Sequence, residues 1–127
     1  MQLDHLTILY SDPAAGRRFY DLILPELGFE KVREGIWRQA SDGLHLQLRK
    51  AQDGTRPYER YGAGLNHFGF RAPDVAAVDR LAALLAENGY AARRQQFPDG
   101  TVALFVPDPD GLRIELAWYP PGVQPVE

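Results

Sequence analysis

A seven-residue phrase that occurs twice is the feature that most constrains the fold of this chain. Asp-Gly-Leu-His-Leu-Gln-Leu spans residues 42–48, and Asp-Gly-Leu-Arg-Ile-Glu-Leu spans residues 110–116. In each copy a tight turn at Asp-Gly precedes strict alternation of apolar and polar residues, which is typical of a half-buried strand. Gln47 and Glu115 therefore occupy equivalent positions, on the strand face opposite the large apolar residues.

Two further landmarks recur in the same order along the chain. Leu-Asp-His-Leu at 3–6 corresponds to Leu-Asn-His-Phe at 65–68, and Gly28 corresponds to Gly89. A fixed order of landmarks at a nearly constant offset indicates a duplicated unit. The chain has 127 residues, which is the length of one domain. We therefore predict a single domain over 1–127 with four parts: module one at about 1–51, a linker at 52–62, module two at about 63–119 and a tail at 120–127.

Hydrophobic patterning predicts the same order of elements in both modules. In module one, residues 3–10 alternate as a strand, and Asp12 or Ser11 caps a helix that ends at Gly28. In module two, a strand at 64–70 precedes a helix capped by Asp74. The predicted strands that follow the helices are 29–33, 36–41 and 44–50 in module one, and about 90–96, 101–106 and 112–118 in module two. The sequence thus predicts an α+β fold of two βαβββ modules.

Composition and charge exclude several classes of function. The net charge of −3 and the absence of a basic run give no indication of a nucleic-acid partner. No apolar stretch is long enough to span a bilayer, and the first residues enter a strand at once, so we expect no membrane partner and no signal peptide. The chain has no cysteine, which excludes disulfides and thiolate metal sites within it. A cytoplasmic location is the default expectation.

Four polar residues stand at repeat-related positions and form the candidate site. His5 and His67 lie in the first strand of each module, and Gln47 and Glu115 lie in the last. If each sheet curls with its helix outside, all four side chains point to the concave side and can converge. Two imidazoles, a carboxylate and an amide oxygen suit a divalent metal such as Zn, Ni, Fe, Mn or Co. The alternative for each residue taken alone is an ordinary solvent-exposed or hydrogen-bonded side chain.

Two more residues share the register of the candidate ligands. His45 lies two positions before Gln47, and Arg113 lies two positions before Glu115. Either could orient an anionic group of a substrate. The alternative is that they cap the end of the sheet or pair with nearby acids.

On these residues the chain resembles the vicinal oxygen chelate superfamily, also called the glyoxalase/bleomycin-resistance/dioxygenase group. The resemblance covers about 3–119 and rests on the segments around His5, His67 and Glu115, most specifically on Asp-Pro-Asp-Gly-Leu-Arg-Ile-Glu-Leu at 108–116. It implies paired βαβββ modules forming a curved mixed sheet around a cleft, and a homodimer that binds a small-molecule substrate. It also implies that His5, Gln47, His67 and Glu115 bind a divalent metal, with all four from one chain or shared between two.

The resemblance leaves three functions open. In the first, a metal-dependent lyase or isomerase chelates vicinal oxygens of a small substrate and stabilises an enediolate-like intermediate, with Glu115 as the catalytic base. In the second, ferrous iron at His5, His67 and Glu115 serves an extradiol-type dioxygenase, and Gln47 is only a neighbour. In the third, a metal-free cleft binds a small molecule without transforming it, as in bleomycin-resistance proteins.

Overall fold

A computed structural model describes residues 1–125 and divides the chain into two compact units, Met1–Tyr58 and Glu59–Glu127. The boundary falls inside the predicted linker. The first unit contains, in order, β1 (His5–Tyr10), α1 (Pro13–Glu26), β2 (Phe29–Arg33), β3 (Ile36–Gln39) and β4 (His45–Lys50). The second contains β5 (His67–Arg71), α2 (Val75–Glu87), β6 (Arg93–Gln96), β7 (Val102–Pro107) and β8 (Arg113–Trp118). The predicted α+β fold of two βαβββ modules is confirmed.

Each unit has its own four-stranded mixed sheet with the same topology. The strand orders are β1-β4-β3-β2 and β5-β8-β7-β6. In each sheet the first and last strands of the unit are parallel neighbours, and the remaining pairs are antiparallel. Such a parallel pair needs a long crossover connection. The helix and the intervening hairpin supply it in both units.

Both helices begin and end as the sequence predicts. The Asp12 carboxylate accepts hydrogen bonds from the backbone N–H groups of Ala14 and Ala15 at 2.9 and 3.2 Å. The Asp74 carboxylate accepts one from Ala77 at 2.7 Å. These bonds satisfy N–H groups that have no partner within the helix. Gly28, with φ of 83°, then turns the chain out of α1 in a backbone conformation that glycine adopts freely.

The start of β6 differs from the prediction of a strand from 90. The Tyr90 N–H donates to the Leu85 carbonyl at 2.9 Å, so this residue still closes the end of α2. The sheet therefore begins only at Arg93. β3 likewise ends at Gln39 rather than at 41, because the N–H of Gly43 bonds back to the Gln39 carbonyl and forms a turn.

The helix of each unit packs its apolar side against the sheet of that unit. In the first unit the fully buried side chains are Phe19, Tyr20, Ile23, Leu24 and Leu46. In the second unit they include Val78, Leu81, Leu85, Leu104, Val106 and Ile114. The alternation of the last strands is therefore as predicted, since Leu46 and Ile114 face the core while Gln47 and Glu115 stay partly exposed. No helix in residues 1–125 is long and apolar enough to cross a membrane.

Gly16 of α1 allows an unusually close approach to β1. A Cβ atom built on Gly16 would lie 2.6 Å from Cδ1 and Cγ of the buried Tyr10 ring. Replacing glycine by alanine inside a helix normally gains about 1 kcal/mol. Crowding a packed core costs about 1–3 kcal/mol. We expect the crowding to dominate, so that Gly16→Ala lowers the free energy of unfolding measured in urea.

Ala83→Gly is the control for this prediction, because Ala83 is an exposed position of α2. It reports the helix-propensity effect alone, which should be a loss of about 1 kcal/mol. A Gly16→Ala variant that is more stable than the natural chain would contradict the close packing of α1 on Tyr10.

Candidate functional site

The candidate residues of the second unit lie on the sheet face that points away from α2. β5 and β8 run parallel with His67 opposite Arg113 and Gly69 opposite Glu115. Because side chains alternate along a strand, His67, Arg113 and Glu115 share one face. Ile114, on the other face, is 1 % exposed and belongs to the core.

His67 and Glu115 face each other across this pair of strands. The Nε2 atom of His67 lies 3.7 Å from Oε2 of Glu115. The His67 side chain is 39 % exposed and the Glu115 side chain is 18 % exposed. Gly69, the cross-strand partner of Glu115, contributes no side chain to this face. The structure thus brings together two of the four predicted ligands.

Hydrogen bonds around Asn66 determine which nitrogen of His67 carries the proton. The Asn66 Nδ2 group donates to the Arg60 carbonyl at 2.8 Å, which fixes the orientation of the amide. The Asn66 Oδ1 atom therefore faces His67 Nδ1 at 2.7 Å, where it can only accept a hydrogen bond. Nδ1 must be the protonated nitrogen in the neutral ring. Its Nε2 then presents a lone pair toward Glu115.

A lone pair on His67 Nε2 facing a carboxylate requires a cation. Two acceptors that point at each other repel, unless Nε2 is also protonated or a metal ion lies between them. Two ligands on a tetrahedral ion with bonds of about 2.1 Å lie roughly 3.4 Å apart. The 3.7 Å between His67 Nε2 and Glu115 Oε2 is close to that separation. The donor set of the second unit therefore fits a divalent metal.

In the first unit, a hydrogen bond to Nδ1 holds His5 as it holds His67. The contacts of Gln47, however, differ from those of Glu115. His5 Nδ1 donates to the Asp4 carboxylate at 2.7 Å, which leaves His5 Nε2 with the lone pair. Gln47 lies opposite Thr7 in the sheet, two pairs beyond His5 and His45. The Gln47 Oε1 atom accepts from the Thr7 hydroxyl at 3.5 Å and from Arg49 Nη2 at 3.2 Å. This amide oxygen is therefore already engaged by neighbouring donors.

The two units thus each present one pair of the predicted ligands, on equivalent strands and in equivalent register. Within residues 1–125, no group of three or more His, Cys, Asp or Glu side chains is arranged to hold a metal ion. The set of His5, Gln47, His67 and Glu115 stays a prediction. His45, directly opposite His5, and Arg113, directly opposite His67, share the faces of these pairs as predicted.

Basic and aromatic residues that sequence reasoning missed surround Glu115. Arg93, Phe105 and Glu115 are cross-strand neighbours on β6, β7 and β8. The guanidinium carbons of Arg113 and Arg93 lie 4.8 and 5.1 Å from the centre of the Phe105 ring. Alternation along β6 places Arg93 on the site face, but only the register shows that it aligns with Glu115.

Burial and like charge both act on Arg113. Burial lowers the pKa of its guanidinium, the positive charge of Arg60 lowers the pKa further, and Glu115 opposes the shift. The Nε atoms of Arg60 and Arg113 are buried and have no hydrogen-bond partner within residues 1–125. Burial also raises the pKa of Tyr119, and the charge of Glu115 adds to that effect. The charge of Glu115 therefore raises the pKa of both Arg113 and Tyr119.

Comparison with known proteins identifies the family. The family model for the Glyoxalase/Bleomycin resistance protein/Dioxygenase superfamily matches residues 2–116. The chain belongs to this superfamily. Its sequence is 33 % identical over 125 residues to the uncharacterized protein YqjT of Bacillus subtilis strain 168, a match that covers 90 % of this chain and 96 % of YqjT.

Solved structures of other superfamily proteins share the fold. One is a Bacillus halodurans protein provisionally assigned as a glyoxalase, with a TM-score of 0.78, 27 % identity, and coverage of 91 % of this chain and 94 % of that one. Another is a glyoxylase/bleomycin resistance protein/dioxygenase domain from Frankia sp. EAN1pec, with a TM-score of 0.77, 22 % identity, and coverage of 94 % and 98 %. The predicted resemblance to the vicinal oxygen chelate superfamily is confirmed.

Proposed function

We propose that this superfamily member is a divalent-metal-dependent enzyme of the lyase or isomerase type that acts on a small substrate with vicinal oxygens. One observation carries the proposal. Asn66 fixes the proton of His67 on Nδ1, so that Nε2 and the Glu115 carboxylate present lone pairs to each other at 3.7 Å. Metal-binding histidines are typically held in this manner by a hydrogen bond to the other ring nitrogen.

The proposed ligands are His5, Gln47, His67 and Glu115, all from one chain or shared between two copies of it. Asp4 holds the ring of His5 as Asn66 holds that of His67, so both histidines offer Nε2 as the ligand atom. Gln47 is the weakest member, because binding through its oxygen would replace the contacts with Thr7 and Arg49. A divalent ion, when bound, would supply Lewis-acid stabilisation of negative charge on the substrate oxygens.

Glu115 is the residue that would move a proton. Its carboxylate is partly exposed, and its cross-strand neighbour Gly69 has no side chain to cover it, so that a substrate carbon can reach it. A base in this position removes a proton from the carbon next to a carbonyl group and returns it at a neighbouring atom. His67 and Asn66 act as positioning residues, since their hydrogen bond holds the imidazole beside the carboxylate.

Metal uptake is the experiment that tests the proposal. Protein purified without an affinity tag, stripped with chelator and dialysed against Zn, Ni, Fe, Mn or Co, should bind one of these metals at near-stoichiometric levels by elemental mass spectrometry. The His67→Ala variant should lose that metal, and Asn66→Ala should bind it about 10- to 100-fold more weakly. A natural chain that takes up none of the five metals would overturn the proposal and favour a small-molecule-binding protein.

The reaction class is tested with the metal-loaded protein. An α-hydroxyketone incubated in D₂O should exchange the hydrogen next to its carbonyl group, as followed by proton NMR. Oxygen consumption with a catechol, together with a preference for iron, would instead identify an extradiol-type dioxygenase. Light scattering on the same sample would test the predicted homodimer.

A further inference from the structure

We propose that Arg93 and Arg113, assisted by Arg60, form a subsite for a carboxylate group of the substrate, on the sheet face of the second unit beside Glu115. The proposal rests on the proposed function, since it takes Glu115 as the reacting end of the same site. It adds a substrate class, namely small compounds that carry a carboxylate in addition to the vicinal oxygens.

The geometry places the two guanidinium groups around one ring. Arg93 and Glu115 are both cross-strand partners of Phe105, and Arg113 lies two residues before Glu115 on the same face of β8. The guanidinium carbons of Arg93 and Arg113 lie 5.1 and 4.8 Å from the centre of the Phe105 ring. Contact with an aromatic ring holds a guanidinium in place while leaving its N–H groups free to bind a ligand.

In the described part of the chain, no acid at ion-pair distance balances the charge of these three arginines. Within residues 1–125, no carboxylate oxygen lies within 4.0 Å of the side-chain nitrogens of Arg60, Arg93 or Arg113. Five other basic residues are paired with acids at 3.9 Å or less, namely Arg17, Lys31, Arg38, Lys50 and Arg94. Three neighbouring cations beside a single carboxylate leave this face with an excess of positive charge, which an anionic ligand would neutralise.

Two of the three guanidinium groups also contain a buried N–H group. The Nε groups of Arg60 and Arg113 are shielded from solvent and make no hydrogen bond in the described part of the chain. Buried N–H groups without a partner cost about 1–3 kcal/mol each, and more when charged. A planar anion matches the fork of N–H groups on a guanidinium.

The anion is assigned as a carboxylate on its shape. Three guanidinium charges less the charge of Glu115 leave an excess of two positive charges on this face, which either a carboxylate or a phosphate reduces. A carboxylate is planar and meets the guanidinium fork edge to edge through two parallel N–H···O bonds. Comparison with phosphate in the test below checks this assignment.

The test uses the full chain in excess chelator, so that its outcome does not depend on the metal. Titration calorimetry would compare 3,4-dihydroxybutyrate, which carries a carboxylate in addition to two vicinal hydroxyl oxygens, with its neutral amide and with inorganic phosphate. We expect the carboxylate to bind more tightly than both. Arg93→Ala should weaken that binding roughly 10- to 100-fold, because it removes hydrogen bonds to a charged group.

Arg80→Ala is the matched control, because Arg80 is an exposed residue of α2, and it should bind the carboxylate as the natural chain does. Equal binding of the acid and its amide, or equal binding by Arg93→Ala and Arg80→Ala, would overturn the subsite. Tighter binding of phosphate would overturn the carboxylate assignment. A chain that binds the carboxylate but takes up no metal would contradict the proposed function and leave the subsite standing.

Discussion

Glu115→Gln is expected to lower divalent-metal affinity by at least about 100-fold. Losing a residue that only hydrogen-bonds to a metal ligand typically costs about 10- to 100-fold, and losing a ligand should cost more. The substitution keeps the size of the side chain and removes the charge that faces His67 Nε2 at 3.7 Å. The proton-transfer step should also slow by about 10²- to 10⁴-fold, since the base is gone. Metal-competition titration and exchange of the substrate hydrogen in D₂O measure the two effects.

Glu87→Gln provides the control for this prediction. Glu87 is the exposed last residue of α2 and is distant in sequence from Glu115. The substitution replaces a carboxylate by an amide, as Glu115→Gln does. Its metal affinity and exchange rate should match those of the natural chain. If Glu115→Gln kept the affinity of the Glu87→Gln variant, Glu115 would not be a metal ligand.

Phe19→Ala is expected to lower the free energy of unfolding by about 3–5 kcal/mol. Phe19 is 0 % exposed, and its ring meets that of Tyr20 edge to face with 5.1 Å between the ring centres. Truncation leaves a cavity between α1 and the sheet of the first unit. Chemical denaturation followed by circular dichroism measures the loss. Val32→Ala on β2, where the side chain is 56 % exposed, should change the free energy by less than about 0.5 kcal/mol.

A loss in Phe19→Ala no larger than that in Val32→Ala would show that α1 is not packed as described. The metal affinity of the Phe19→Ala variant, measured below its unfolding transition, should stay close to that of the natural chain. This separates the packing of the first unit from the chemistry of Glu115.

The order of the elements could be predicted because local signals agreed with one another. Asp12 and Asp74 marked the starts of the helices, and alternation marked the strands. The start of β6 could not be predicted, because Tyr90 is held by a backbone hydrogen bond to Leu85 that has no sequence signal. Ala117 falls two positions after Glu115, on the polar side of the alternation, but is 1 % exposed. An alanine in an alternating pattern carries no information about burial.

Only those residues of the candidate site that have a counterpart in the other module could be predicted from the sequence. His67 and Glu115 stood out because each has a counterpart in the other module, and the structure brings these two together. Arg93 and Phe105 have no such counterpart, and their place beside Glu115 follows from the register of β6, β7 and β8. Register depends on pairing between strands, which a single sequence does not specify.

Because a glycine lies opposite Glu115, the two modules differ in which substitutions they tolerate at this position of the first strand. In the first half, the oxygen of Gln47 is shared by a hydroxyl and a guanidinium, so losing one donor leaves the other in place. In the second half, Gly69 stands where Thr7 stands, and a Cβ there would lie 3.7 Å from Cβ of Glu115. That separation is an ordinary van der Waals contact, so an alanine fits at position 69, whereas a branched or longer side chain would lie against the Glu115 side chain. Position 7 can therefore carry a side chain that binds its cross-strand partner, while position 69 accepts only small residues if Glu115 is to keep its exposure.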